Sequence, residues 1–117
     1  MPGNTYQDLE VWKEAIELSV EIYGLTKGFP SDEKFGLVSQ MRRSSVSIPC
    51  NVAEGRRRRG DKEFRNFLHI AYGSGAELET QMIIARRLGY ITVDTTVIDE
   101  RLTRVMKMLN SFIAKLP

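Results

Sequence analysis

Apolar residues return every three or four positions through four successive segments of this chain. That spacing restricts it to amphipathic helices, each needing the others to cover its apolar stripe. In the first segment, 8–27, Leu9, Trp12, Ile16, Ser19 or Val20, and Tyr23 keep the step, and Glu10, Lys13, Glu14, Glu17 and Glu21 fall on the solvent side. Gly28-Phe29-Pro30 ends it, since proline cannot extend a helix. The second segment, 32–58, opens with Ser31 as cap and two acids suited to the positive helix end. Its stripe is Val38, Met41, Ser45, Ile48, Val52 and Gly55. Pro49 falls within it, removes one backbone donor and crowds the Ser45 carbonyl, which predicts a kink there. Ser44, Ser45 and Ser47 are at hand to satisfy the freed backbone.

The third segment, 61–88, begins at the capping residue Asp61 and carries Phe64, Phe67 or Leu68, Ala71, Gly75, Leu78, Met82 and Ala85, with Gly89 as its terminating residue. The fourth, 93–115, has the stripe Ile98, Leu102, Val105, Leu109, Phe112 and Leu116, and Thr92, Asp94 and Thr95 can each cap it. Short connections favour antiparallel neighbours. The expected fold is therefore all-α, an antiparallel up-down-up-down four-helix bundle occupying residues 1–117 as one domain. Trp12, Ile16, Val38, Met41, Ile48, Phe67, Leu78, Met82, Leu102, Val105 and Leu109 are its expected core. Val11, Val20, Ile22, Leu37, Ile70, Ile83 and Ile84 lie off the main stripes, and this surplus points to a homo-oligomer that buries them.

Several function classes lack the residues they require. A lone cysteine, Cys50, permits no intrachain disulfide and no thiolate metal cluster, and it fits a reducing cytoplasm. Met1-Pro2-Gly3-Asn4-Thr5 reads neither as a secretory leader nor as a myristoylation site, and no stretch approaches the length of a membrane span. The sole histidine, His69, has no glutamate three residues before it and reads as a structural residue rather than a metal ligand. Cys50 has no base proposed for it and reads as a small structural residue. Gly73-Ser74-Gly75 sits inside a helical pattern, so it reads as a point of close helix approach, with the Pro49 region a candidate neighbour, rather than as a phosphate loop. Paired carboxylates at Glu54 and Glu77 could serve acid–base work. The favoured reading instead places Ser44, Asn51, Glu54, Ser74, Glu77 and Glu79 in a structural polar network between helices. No metal and no cofactor is expected.

Charge is distributed unevenly. Residues 1–41 carry 3 basic and 7 acidic side chains, residues 42–65 carry 8 and 3, and residues 66–117 carry 6 and 5, within a net charge of +2. The cationic stretch comprises Arg42, Arg43, Arg56, Arg57, Arg58, Arg59, Lys62 and Arg65. It reads either as a backbone-directed nucleic-acid surface or as a solvated helix end. Phe64 and Phe67 fall on the apolar stripe and look like core, not like stacking platforms.

Three stretches are also familiar together: Tyr6-Gln7-Asp8-Leu9-Glu10-Val11-Trp12; Gln40 to Pro49 continuing into Asn51-Val52-Ala53-Glu54-Gly55; and Phe64 to Ala71 followed by Gly73-Ser74, Glu77 to Gln81 and Leu88-Gly89-Tyr90-Ile91. They resemble the 23S rRNA intervening-sequence protein family over nearly the whole chain, with Cys50 in place of an expected serine and Val52 in place of isoleucine. The resemblance implies a bacterial four-helix bundle without known catalysis. It also implies kinship to bundles, such as the accessory protein of diversity-generating retroelements, that form homopentameric rings with a basic surface and bind nucleic acid or a reverse transcriptase. The expected partners are therefore further copies of this chain, RNA or DNA, or alternatively an acidic protein docked on the basic surface, with no membrane involved.

Overall fold

The computed structural model describes residues 5–117; Met1 to Asn4, read above for leader and acylation signals, lie outside the described residues. Four helices account for the structure: α1 (Glu10–Thr26), α2 (Leu37–Arg57), α3 (Asp61–Arg87) and α4 (Thr96–Lys115). Single 3-10 turns lie at Tyr6–Asp8 and Ser31–Glu33, and there is no strand among the described residues. Each helix packs on its chain neighbour and α4 closes the square against α1. The direction of every pair is antiparallel: Thr26 meets Arg42 while Ser19 meets Ser45, and Glu21 and Glu14 meet Arg101 and Arg104 in reverse order. The bundle measures 44 × 24 × 23 Å.

The core runs the length of the bundle and contains Val38, Met41, Ile48, Val52, Leu78, Met82, Leu102, Val105 and Leu109, all in the expected stripes. Helix α1 departs from expectation. Its buried residues are Val11, Ala15, Leu18, Ser19, Ile22 and Thr26, so the buried face is turned by about one residue, roughly 100°. Trp12 and Ile16 are consequently half-buried flankers, and Tyr23 is exposed. The face so turned carries Leu18 and Ile22, both fully buried, and sets Ser19 against Ser45 of α2. Val11, Ile22 and Leu37, read as surplus, belong to the core, whereas Val20, Ile70, Ile83 and Ile84 are exposed. Phe67 is half-buried.

The same rotation carries Glu14 and Glu21 to the α4 seam. Arg101 donates to Glu14 at 2.6 Å and to Glu21 at 2.8 Å, and Arg104 also pairs with Glu14. All the Arg101, Glu14 and Glu21 side chains are less than a quarter exposed, so these contacts are screened less than surface pairs. The carboxylates assigned to solvent thus bind α4 to α1.

Helix α2 runs through Pro49 without ending. Proline has no N–H for the Ser45 carbonyl. Ser19 on α1 supplies the donor, its Oγ lying 2.9 Å from Ser45 O. The expected local serines are engaged elsewhere: Ser45 Oγ donates to Arg42 O and Ser47 Oγ meets Ser74 Oγ. Helix α2 also starts later than expected. Ser31 opens the 3-10 turn instead of capping α2, and the Leu37 N–H is received by the Glu33 carboxylate at 3.2 Å. At the start of α4, Asp94 accepts the Thr96 N–H at 2.9 Å. At the end of α3, Gly89 (φ 78°) allows Tyr90 N–H to reach Ala85 O and Gly89 N–H to reach Arg86 O, which closes the helix with a left-handed turn.

Two glycines mark the closest helix approaches. A Cβ on Gly55 would lie 2.6 Å from Phe67 Cβ, and one on Gly75 would lie 2.2 Å from Met106 Sδ. The first obstacle is fixed to the α3 backbone, and the second is the flexible end of a methionine on α4. Gly55→Ala is therefore expected to cost about 1–3 kcal/mol and Gly75→Ala clearly less, read from urea midpoints. Equal losses would show that Met106 cannot yield. Ser19→Ala leaves the Ser45 carbonyl buried without a donor and is expected to cost about 1–3 kcal/mol. A midpoint unchanged from wild type would mean that the carbonyl is satisfied some other way.

Candidate nucleic-acid interface

The eight basic residues do not form one stripe. Arg42 and Arg43 lie on α2 about 20 Å along the axis from Arg57, and the others gather where α2 turns into α3. Gly60 (φ 94°) makes that turn, and the chain reverses within Arg58 to Gly60.

At the turn the cations divide by their contacts. Arg58 pairs with Glu54 at 2.6 Å and stacks over the Phe67 ring at 5.2 Å. Arg65 donates to the carbonyls of Leu116, at 2.8 Å, and Pro117, tying α3 to the chain end after α4. Arg56 is half-buried, with its guanidinium 5.7 Å from the Phe64 ring. Arg57 lies over Tyr6 at 5.4 Å but remains exposed, as do Arg59 and Lys62. The acids Asp61 and Glu63 share the turn and favour the positive end of α3. What projects from this end is thus Arg57, Arg59 and Lys62, while the other three cations also brace the fold.

At the second location Arg42 is held in place. Its Nε donates to Thr26 Oγ1 at 3.0 Å, and its guanidinium lies 4.6 Å from the Tyr23 ring. Arg43 beside it is exposed. Long-range partners on α1 fix this arrangement, and nothing in the local spacing around Arg42 signals them.

A model of the 23S rRNA-intervening sequence protein family matches residues 7–111. The chain belongs to that family. A crystal structure of a protein of unknown function from the S23 ribosomal protein family of Bacteroides thetaiotaomicron VPI-5482 has the same architecture, with a TM-score of 0.81 and 30% identity over 90% of this chain and 96% of that one. No curated protein matches the chain.

Other residues singled out in the sequence are scattered. Asn51 Nδ2 donates to Ser47 O at 2.8 Å and Ser47 Oγ at 2.9 Å, and Ser47 Oγ lies 2.7 Å from Ser74 Oγ across the α2–α3 seam. Ser44 is buried on α2. Glu54, Glu77 and Glu79 are exposed, Glu54 being paired with Arg58, and these carboxylates lie outside the Asn51–Ser47–Ser74 contacts. His69 and Cys50 are also exposed. Among the described residues no three His, Cys, Asp or Glu side chains gather as metal ligands, and no helix is long and apolar enough to cross a membrane.

The opposite end of the bundle is closed by a contact that local sequence does not signal. Tyr90 Oη donates to Glu33 Oε2 at 2.8 Å, and the Tyr90 ring packs at 5.6 Å on Phe29. That hydrogen bond, with the Leu37 N–H as a second donor, holds the Glu33 carboxyl below its ordinary value. It also raises the Tyr90 phenol above its own. A carboxyl lowered by folding contributes stability above its unfolded value, about pH 4, and loses it as pH falls through the folded value. A phenol raised by folding contributes below its unfolded value, about pH 10, and loses it as pH rises through the folded value. Tyr90→Phe is therefore expected to lower the urea midpoint most between about pH 5 and 9, with the gap from wild type narrowing at both extremes. A gap constant from pH 3 to 11 would disconnect the hydrogen bond from stability.

Proposed function

We propose that this protein is a non-enzymatic, homo-oligomeric bundle that binds nucleic acid through its basic surface with little sequence preference. The observation that carries this reading is the exposure of Arg57, Arg59 and Lys62 together at the α2–α3 turn, where bracing by Arg58 and Arg65 leaves them directed away from the core. Cations on a rigid turn neutralise phosphates and release counterions without touching base edges. Homo-oligomerisation is supported by large apolar side chains left in solvent: Val20 at 63%, Ile70 at 51%, Ile83 at 55% and Ile84 at 44% exposure. A ring of copies, with a pentamer favoured by the family resemblance, repeats each basic turn and raises the avidity of individually weak contacts.

Replacing Arg57, Arg59 and Lys62 with glutamine is expected to weaken binding to single strands and duplexes of unrelated sequence alike. The duplex salt slope should become shallower by up to about 2–3 units of log K against log[salt], as one phosphate contact is lost per cation. Helicity should stay intact, since none of the three lies in the core. Fluorescence anisotropy across a potassium chloride series, beside circular dichroism, makes the measurement. Wild-type protein that binds polyglutamate but no RNA or DNA at low salt would replace this reading with a scaffold for an acidic protein.

A further inference from the structure

Between the second half of α1 and the first half of α2 lies an open groove of about 590 Å³. Its walls carry Lys34, Arg42 and Arg43, and among the described residues no acidic side chain lines it. Two aromatic rings accompany these cations. Phe35 projects from the turn before α2 and is 89% exposed, the most exposed of the large hydrophobic side chains; Tyr23 is 42% exposed. Each ring stands beside a cation: Arg42 at 4.6 Å from the Tyr23 centroid, and Lys34 at 5.5 Å from that of Phe35. Ser39 also lines the groove.

The combination of two exposed rings with three cations in one groove, and not the exposure of a single phenylalanine, is what selects a ligand. A greasy helix from another protein would bring apolar surface to three cations and leave their charge unanswered. A duplex would offer phosphates, but its bases are stacked on one another and unavailable to a ring. An unpaired strand offers both features at once, a phosphate backbone for the cations and free base faces for the rings. Arg42 is already fixed by Thr26 and Tyr23, so the cation and the ring are arranged before any ligand arrives.

We propose that this groove is a binding site for single-stranded nucleic acid, with bases stacked on Phe35 and Tyr23 and phosphates held by Lys34, Arg42 and Arg43. The site rests on the nucleic-acid reading above and adds a preference for unpaired strands, which the cationic α2–α3 turn by itself does not supply. Because Phe35 is exposed, its replacement leaves the core untouched.

The test uses the full chain with fluorescein-labelled oligouridylate and oligothymidylate 12-mers and a mixed-sequence 12-base-pair duplex. Phe35→Ala is expected to weaken single-strand binding roughly five-fold to a hundred-fold, the range of one lost base–aromatic stack, and to leave duplex binding within about two-fold. Phe35→Tyr, which keeps a ring, should restore most of the single-strand affinity, and Arg43→Gln should weaken it further. Unchanged single-strand binding by Phe35→Ala, or an equal loss on the duplex, would overturn the groove while leaving the basic-turn reading intact. Failure of wild-type protein to bind any of the three probes would remove both. A fall in mass by light scattering on Phe35→Ala, with single-strand affinity recovered at higher protein concentration, would reassign the groove to contact between copies.

Discussion

The carbonyl of Ser45 is the constraint around which the bundle is arranged. Proline at position 49 strips it of its helical donor in the middle of α2, where Ser45 is fully buried. A buried acceptor without a partner is costly, and breaking the helix would expose the stripe that α3 covers. Ser19 resolves the conflict from a different helix. Its hydroxyl lies 3.0 Å from Ala15 O in its own helix and 2.9 Å from Ser45 O, so one donor is shared between α1 and the neighbour. This requires α1 to turn its Ala15–Ser19 edge toward α2 and leaves Trp12 and Ile16 half-buried beside it. The rotation of α1 that brings Ser19 inward also carries Glu14 and Glu21 toward Arg101, so one missing N–H is linked to the polar seam that joins the first and last helices.

That chain of dependence separates what the sequence alone discloses from what it conceals. The stripes of α2 and α4 are legible because most of their large aliphatic residues fall on one face, with Val46 and Val97 the exposed exceptions. Gly89 is legible because a left-handed residue after two arginines has a local cause. Helix α1 is ambiguous, since Trp12, Ile16 and Tyr23 centre one face while Val11, Ala15, Leu18 and Ile22 centre the next, and Ser19 lies at the edge they share. Mere size misleads there, because small residues mark where another backbone comes near. Glu14 and Glu21 look like solvent residues until Arg101, some 80 positions later in the chain, is placed beside them.

The basic surface follows the same pattern. The run Arg56 to Arg59 is plain in the sequence, but neighbouring residues decide which members project. Glu54 and Phe67 engage Arg58, the chain end engages Arg65, and Arg57, Arg59 and Lys62 are left outward. At the other location, sequence reasoning discounted stacking because the aromatics close to the arginine run belong to the core. The rings that share a groove with Arg42 and Arg43 are Tyr23, from α1, and Phe35, from the turn before α2, and only the folded chain brings them together. Phe35 could have been noticed earlier, since it falls between a 3-10 turn and a glycine and belongs to no apolar stripe.

The contact between Tyr90 and Glu33 has a consequence for how the molecule opens. Glu33 belongs to the connection between α1 and α2, and Tyr90 to the connection between α3 and α4, so the two loops at that end share a hydrogen bond and the adjoining Phe29 ring. Neither loop can swing away without releasing the other, and release also strips Leu37 of the carboxylate that receives its amide. The start of α2 and the end of α3 are therefore expected to open as a single unit, their amides exchanging together and sooner than those at the Ser19–Ser45 waist. Phe35 lies two residues beyond Glu33, so the groove it borders adjoins that same unit.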